Sequence, residues 1–296
     1  MTGPPAGAGP SARTVLFKYE GLGNDFLVLL DPLGTSPLSA DLARAVCDRH
    51  RGLGADGLLR AGPAPSSGES FTFELRNADG TEAEMSGNGL RCLAHAALDE
   101  GWVDVAPGDS FDVLTPAGRR RVTLHRRSAA CAWSSTEMGR PEVSGDAGRC
   151  NVGHGQLFVD VGNPHLVVLG PDPGTVDVAA LGPLLSAQAG RSSGGVNVEF
   201  VALGPGPDEL TMRVWERGVG ETQACGTGSV AAATALHYWG RVGSKVTVNQ
   251  PGGPAEVELR PDGAAVLSGP SRRVASCVVE PRSLLEAAGG VAGCSQ

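Results

Sequence analysis

Two stretches of this chain each set one small acid/base side chain directly ahead of a Gly-x-Gly triplet. One reads Ser86-Gly87-Asn88-Gly89 and the other Cys225-Gly226-Thr227-Gly228, an offset of 139 residues (225 − 86). Each triplet opens a run of small and apolar residues, LRCLAHAALDEG after the first and SVAAATALHYWG after the second. Such a run predicts a buried helix whose first turn is the triplet itself. The first turn of a helix leaves backbone N–H groups unpaired and carries partial positive charge. Glycine there lets a ligand approach the backbone, and a carboxylate is the natural guest. A cysteine at such a tip is expected to ionise below the usual thiol range. If both tips face one cleft, a substrate carboxylate lies between two sets of N–H donors, with Ser86 and Cys225 on opposite sides of the adjacent carbon. That geometry suits removal of an α-proton from one side and its return on the other.

The same 139-residue offset joins Gly23-Asn24-Asp25-Phe26-Leu27-Val28 to Gly162-Asn163-Pro164-His165-Leu166-Val167. Two matched signatures at one offset point to a duplicated half-molecule. The elements around them repeat in the same order. TVLFKYEG and NDFLVLLD alternate as strands, ADLARAVCDRH has helical spacing, and DGLLRAG, SFTFELRN, DSFDVLTPAG and RRRVTLHRR follow as strands. In the second half QLFVDVGN and HLVVLG are strands, VDVAALGPLLSA a helix, and GVNVEFVAL and ELTMRVWERG strands, with SKVTVNQPGG, PAEVELRP and AAVLSGP late in the chain. The expected division is a Pro/Gly-rich disordered tail over 1–12, a half over 13–130 with the Ser86 tip, a half over 131–275 with the Cys225 tip, and a segment over 276–296 packing back on the first half. Residues 126–134 are read as the crossover between halves, and 280–288 as a short closing helix.

Bulk properties narrow the partners. The 296 residues carry 24 Lys+Arg against 32 Asp+Glu, a net charge of −8, with no basic run. Nucleic acid and anionic membranes are therefore not expected partners. No apolar stretch reaches the roughly 20 residues of a bilayer span, and the N-terminus lacks a signal-peptide core. Seven cysteines at irregular spacing make no disulfide framework, and CxxC and HExxH are absent, so neither bridges nor a metal are expected. A reducing cytoplasm is the expected location. Lys18 and Lys245 are the only lysines, and both read as surface residues rather than as a pyridoxal Schiff base. Gly52-Leu53-Gly54 and Gly57 lack the dinucleotide-binding spacing. The chemistry is expected to need no cofactor.

GLGNDF, GLGADGLL, NADGTEAEMSGNGLRC, VGNPH, GVNVEF and ERGVGETQACGTG occur in this order, and together they resemble the diaminopimelate epimerase family from about residue 14 to about residue 281. The resemblance implies an α/β fold of two pseudo-symmetric domains, each a mostly antiparallel sheet wrapped around a central helix, with the active site between them. It implies cofactor-independent epimerisation of LL- to meso-diaminopimelate, a small amino-acid substrate, and a homodimer. Carried over by position, substrate contacts fall on Asn24, Asn77, Asn163, Asn197, Glu216 and Arg217, and the carboxylate-holding tips on Gly87, Asn88, Gly89, Gly226, Thr227 and Gly228. Arginine can grip a carboxylate with two prongs, and asparagine offers both donor and acceptor to an amino-acid head group.

The sequence departs from the family pattern at the first tip, where Ser86 replaces a cysteine. A hydroxyl is a far weaker acid than a thiol and a poor base unless activated. Two alternatives therefore stand beside epimerisation of diaminopimelate: a racemase or epimerase of another amino acid using a Ser/Cys pair, and a noncatalytic amino-acid-binding protein. Cys92, six residues on, is a candidate stand-in for the missing thiol, although it falls nearly two turns into the helix. His165 is a candidate polar neighbour of the site or a structural histidine. Glu20 stands where the family often has histidine.

Overall fold

The computed structural model describes residues 13–65, 68–83, 85–146, 155–190, 194–280 and 284–285. The tail over 1–12 lies outside them, as does most of the stretch read as a closing helix, of which only Glu280, Leu284 and Leu285 are described, the two leucines as helical. The first half contains β1 (Thr14–Gly21), β2 (Asn24–Leu30), α1 (Ala40–Cys47), β3 (Gly57–Gly62), β4 (Phe71–Asn77), β5 (Glu82–Ala83), α2 (Gly87–Asp99), β6 (Ser110–Thr115), β7 (Gly118–Arg127) and β8 (Cys131–Gly139). The second contains β9 (Glu142–Asp146), β10 (Gly155–Asp160), β11 (Pro164–Leu169), α3 (Val178–Ala189), β12 (Asn197–Leu203), β13 (Glu209–Glu216), β14 (Gly220–Thr222), α4 (Gly226–Tyr238), β15 (Lys245–Gln250), β16 (Gly253–Leu259) and β17 (Ala265–Val279).

The duplication is visible in the helices: α2 and α4 start 139 residues apart (226 − 87) and end 139 apart (238 − 99). Most strand pairs are antiparallel. The parallel pairs among the described residues are β2–β3, β4–β6, β11–β12 and β13–β15, and α1, α2, α3 and α4 lie in turn between their strands. Parallel neighbours require a crossover, and a helix supplies it. α4 is apolar or small nearly all round, and α2 is buried along its length although Asn88, Arg91 and His95 form a polar stripe on it, so each is enclosed by its own sheet. Around α2, Leu90, Leu93 and Ala97 pack with Phe26, Phe71, Phe73 and Val122. Around α4, Val230, Ala232 and Leu236 pack with Leu157, Val201, Met212 and Val257. α1 and α3 cover the outer faces: Ala43 and Val46 meet Leu27 and Leu58, and Val178 and Leu185 meet Val198 and Phe200.

The expected crossover at 126–134 is instead a hairpin. β7 and β8 pair antiparallel up to Arg127↔Ala132, and β8 pairs along β17 from Arg272↔Cys131 to Ala265↔Gly139. The chain passes between halves along a strand because β8 can serve both cores at once: Ala132 packs in the first and Met138 in the second. β17 does the same. It pairs with β16 at one end and with β1 at the other, where Val279 faces Thr14. Its Leu267 is buried in the second core.

A second tie crosses between halves at the β1–β2 turn. Leu22 has a φ of 59°, a conformation that costs a residue with a Cβ. It belongs to the core of the opposite half, the cluster that also holds Val230 and Val248. Its carbonyl lies so close to Gly252 that a Cβ there would sit 1.7 Å away. Glu20 anchors the turn: its carboxylate accepts from Gly23 N at 3.1 Å and from Arg272 Nε at 2.9 Å. The turn places Asn24, the first residue of β2, at the junction of the two halves.

Candidate active site

Ser86 and Cys225 are the N-cap residues of α2 and α4, with nearly the same backbone (φ −142°, ψ 118° and φ −128°, ψ 120°). Each side chain accepts from the third residue of its helix. Ser86 Oγ takes Gly89 N at 3.0 Å, and Cys225 Sγ takes Gly228 N at 3.4 Å. This is N-capping, and it occupies the Gly89 and Gly228 donors. The N–H groups of Gly87 and Asn88, and of Gly226 and Thr227, have no acceptor within their helices. Those four are the donors the tips can offer to an anion.

The two tips abut. A Cβ on Gly226 would lie 3.2 Å from Gly87 Cα and 2.9 Å from Leu267 Cδ2, and a Cβ on Gly87 would lie 2.6 Å from that same Leu267 atom. Glycine is required at both first positions, because any side chain would push the helix starts apart. Above them opens a cleft of about 360 Å³, within the range of small-ligand sites. Its walls come from both halves and include Ser86 and Gly87 on one side and Cys225, Gly226 and Thr227 on the other. Asn24, Asn77, Asn163, Asn197, Glu216 and Arg217 also line it. Asn88, Gly89 and Gly228 are not among the lining residues. Asn88 is buried and its Oδ1 accepts from the Arg91 guanidinium. Cys92 is buried in the core around α2, where burial pushes its thiol up to about 12. It is no part of the cleft wall.

The asparagines are held by their own halves. Asn24 Nδ2 donates to Asp56 Oδ2 at 2.6 Å, and Asn77 Nδ2 donates to Thr81 Oγ1 at 3.0 Å. Asn197 Oδ1 accepts Arg217 N at 2.9 Å, which fixes the chain leading from Glu216 to β14. His165 is fully buried rather than in the cleft wall. Its Nε2 meets Asn163 Oδ1 at 2.9 Å and its Nδ1 meets Glu199 Oε1 at 2.7 Å.

The electrostatics of the second tip differ from the sequence expectation. The helix start was expected to draw the Cys225 thiol below its usual range. Burial instead raises it well above, reinforced by the Glu216 and Glu199 carboxylates, and the contacts to Thr227 and Gly228 N only partly offset this. Cys225 is 5% exposed, and desolvation of a thiolate outweighs a first-turn dipole there. Glu216 is raised as well, by burial, against opposing hydrogen bonds to Thr222 and the Cys225 thiol. The resting tip therefore holds a protonated thiol against a carboxyl group of enhanced basicity.

Four residues that position the site escaped the sequence reading. Gln250 Oε1 accepts Cys225 N at 2.9 Å. Thr222 Oγ1 donates to Glu216 Oε1. Leu267 supports both tips, and Glu199 closes the histidine contact. Glu199 carried a signal: a carboxylate in the apolar run VNVEFV of a strand buried on both faces must have a partner.

Comparisons with known proteins add a family to this geometry. The sequence profile described as diaminopimelate epimerase matches residues 16–143 and 157–274. A diaminopimelate epimerase of Mycobacterium avium is 41% identical over 281 residues, covering 87% of this chain and 94% of that one. One from Corynebacterium aurimucosum is 42% identical over 280 residues, covering 88% and 97%. Among solved structures, a hydroxyproline epimerase from Agrobacterium vitis superposes with a TM-score of 0.70 at 18% identity, covering 90% of this chain and 92% of that one. That last likeness is one of fold.

Proposed function

This chain belongs to the diaminopimelate epimerase family, and from that membership and the cleft we propose that it interconverts LL- and meso-diaminopimelate by moving an α-proton between Ser86 and Cys225. The observation that carries the reading is the pair of capped tips meeting at Gly87 and Gly226 in the wall of one cleft. The α-carboxylate lies across the N–H groups of Gly87, Asn88, Gly226 and Thr227. Those donors also take up the negative charge that grows on the carboxylate as the α-proton leaves. Cys225 releases its proton through Glu216 to solvent and becomes the base on its face. Ser86 supplies a proton from the other face, because a hydroxyl is better matched to protonating a carbanion-like centre than to removing a proton. Net inversion transfers one proton from substrate to sulfur and one from oxygen to carbon, leaving an alkoxide that must be reprotonated before the next forward turnover. That step makes Ser86 the slow partner.

Arg217 and the asparagines that line the cleft hold the amino and carboxylate groups at the two ends of the substrate, with Asn163 beside the α4 tip. All chemistry in this reading is supplied by side chains and backbone of the chain itself. No helix among the described residues is long and apolar enough to cross a membrane. A cytoplasmic location fits an enzyme whose Cys225 must stay reduced. The homodimer implied by the resemblance belongs to the same proposal and is checked by light scattering.

Turnover in D2O tests the reaction. Incubation with either stereoisomer is expected to place deuterium at one α-carbon and to move the LL/meso ratio toward equilibrium. Exchange without inversion would leave one working base and overturn the role of Ser86. Binding with neither exchange nor inversion marks a binding protein, and turnover of a different amino acid alone reassigns the substrate.

A further inference from the structure

We propose that Glu199 is a positioning residue for the reaction, acting through His165 to decide which end of the Asn163 amide faces the cleft. Three contacts carry this. Glu199 Oε1 lies 2.7 Å from His165 Nδ1, with both side chains fully buried. His165 Nε2 lies 2.9 Å from Asn163 Oδ1. Asn163 Nδ2 points toward Thr227 Oγ1, 3.5 Å away at the α4 tip, and Thr227 Oγ1 lies 3.5 Å from Cys225 Sγ.

Proton counting makes the chain specific. Asn163 Oδ1 can only accept, so His165 Nε2 must carry a proton. With Nδ1 against Glu199, only two arrangements satisfy both contacts: imidazolium beside carboxylate, or an Nε2–H imidazole beside a carboxylic acid. Both leave the buried pair without net charge. The remaining option, an Nδ1–H imidazole beside a carboxylate, buries an uncompensated negative charge, which is costly. It would also leave Nε2 as an acceptor, forcing the Asn163 amide to turn over and present its oxygen to Thr227 and the cleft. Glu199 thus keeps the Asn163 NH2 group turned toward the α4 tip, where it selects a substrate oxygen with negative charge and disfavours an ammonium. The fold makes room for this carboxylate: a Cβ on Gly228 would lie 2.8 Å from Glu199 Oε1. Gly228 is therefore a glycine because Glu199 lies under the helix start.

The inference rests on the epimerase reading for its kinetic arm and stands apart from it in its spectroscopic arm. In protein labelled with 15N-histidine, the His165 signals are those lost in His165→Gln. Nε2 is expected to be protonated in the wild-type chain, and a lone-pair-bearing Nε2 would overturn the proposal. Glu199→Gln can donate an amide N–H to Nδ1, as the carboxylic acid would, and is expected to keep Nε2 protonated and KM near the wild-type value. Glu199→Ala removes the partner of Nδ1 and with it the demand for a proton on Nε2. Its KM for diaminopimelate is expected to rise roughly tenfold or more, the loss of one hydrogen bond to a charged group, with kcat changing less. Glu199→Ala added to Asn163→Ala is expected to raise KM no further than Asn163→Ala alone. Multiplying effects would show that Glu199 acts elsewhere and sink the idea. If the wild-type chain turns over no diaminopimelate, the functional reading fails while the nitrogen spectrum still decides this one.

Discussion

Gly226, the first helical residue of α4, lies directly against Gly87, the first helical residue of α2, so closely that a Cβ on the former would stand 3.2 Å from the Cα of the latter. This contact sets the two proposed acid/base groups on either side of a single point in the cleft. Gly226→Ala forces the tips apart against Leu267. It is expected to lower stability by about 1–3 kcal/mol, as overpacking does, and to reduce kcat more than it raises KM. Denaturant melts and steady-state kinetics on the same preparation check both. A variant of unchanged kcat would show that the spacing of the tips is not critical.

The two tips are expected to respond unequally to substitution. Cys225→Ala removes the proposed base of the α4 tip and is expected to lower turnover by roughly 10²–10⁴-fold, the usual worth of a general acid/base. Ser86→Cys installs a stronger acid and base on the slow face, with an expected gain of roughly tenfold or more in kcat. A Ser86→Cys enzyme no faster than wild type would mean that Ser86 already has an activating partner.

The raised thiol at Cys225 gives activity a pH signature. The competent free enzyme holds one proton fewer than the resting Cys225–SH/Ser86–OH pair. Because the folded thiol ionises above its ordinary value of about 8.5, that form becomes more abundant as pH rises. Profiles of kcat/KM should therefore climb on the alkaline side. They should climb together for LL- and meso-diaminopimelate, since their ratio is fixed by the equilibrium constant. A flat profile above neutrality would show the thiol to be ionised already at rest.

Thiol reactivity provides a chemical check. With serine at one tip, no disulfide can join the two proposed acid/base positions. Cys131 is exposed whereas Cys225 is buried and holds its proton, so iodoacetamide is expected to label Cys131 first. Peptide mass spectrometry reads the order. Faster labelling of Cys225 would contradict its burial.

Much of this arrangement was legible in the sequence because duplication repeats itself at a fixed interval. The offset between Ser86 and Cys225 located both helix tips, and the small-residue runs identified α2 and α4 as interior helices. The strands around Asn163 and Asn197 followed from alternation and turn residues. What escaped depended on contacts between distant segments. Residues 126–134 looked polar enough for a connection, yet they form a hairpin because β17 supplies a partner on its far side. The late sequence RRVASCVV continues that strand, and its mixed character hid it. Cys225 was misjudged electrostatically because a helix start can be inferred from glycines, whereas the two carboxylates behind the thiol come from β12 and β13. Leu267 was just one more leucine in a strand until both tips were found resting on it.

That shared support gives the site a single gauge. Because Leu267 belongs to a strand bonded into both cores, the spacing of the two proposed acid/base groups is set by one aliphatic side chain together with the glycine contact above it. A bulkier residue there would widen the gap, with no change to either proposed group. Reach, and with it the size of stereocentre the enzyme can straddle, is in this fold a property of the floor rather than of the walls.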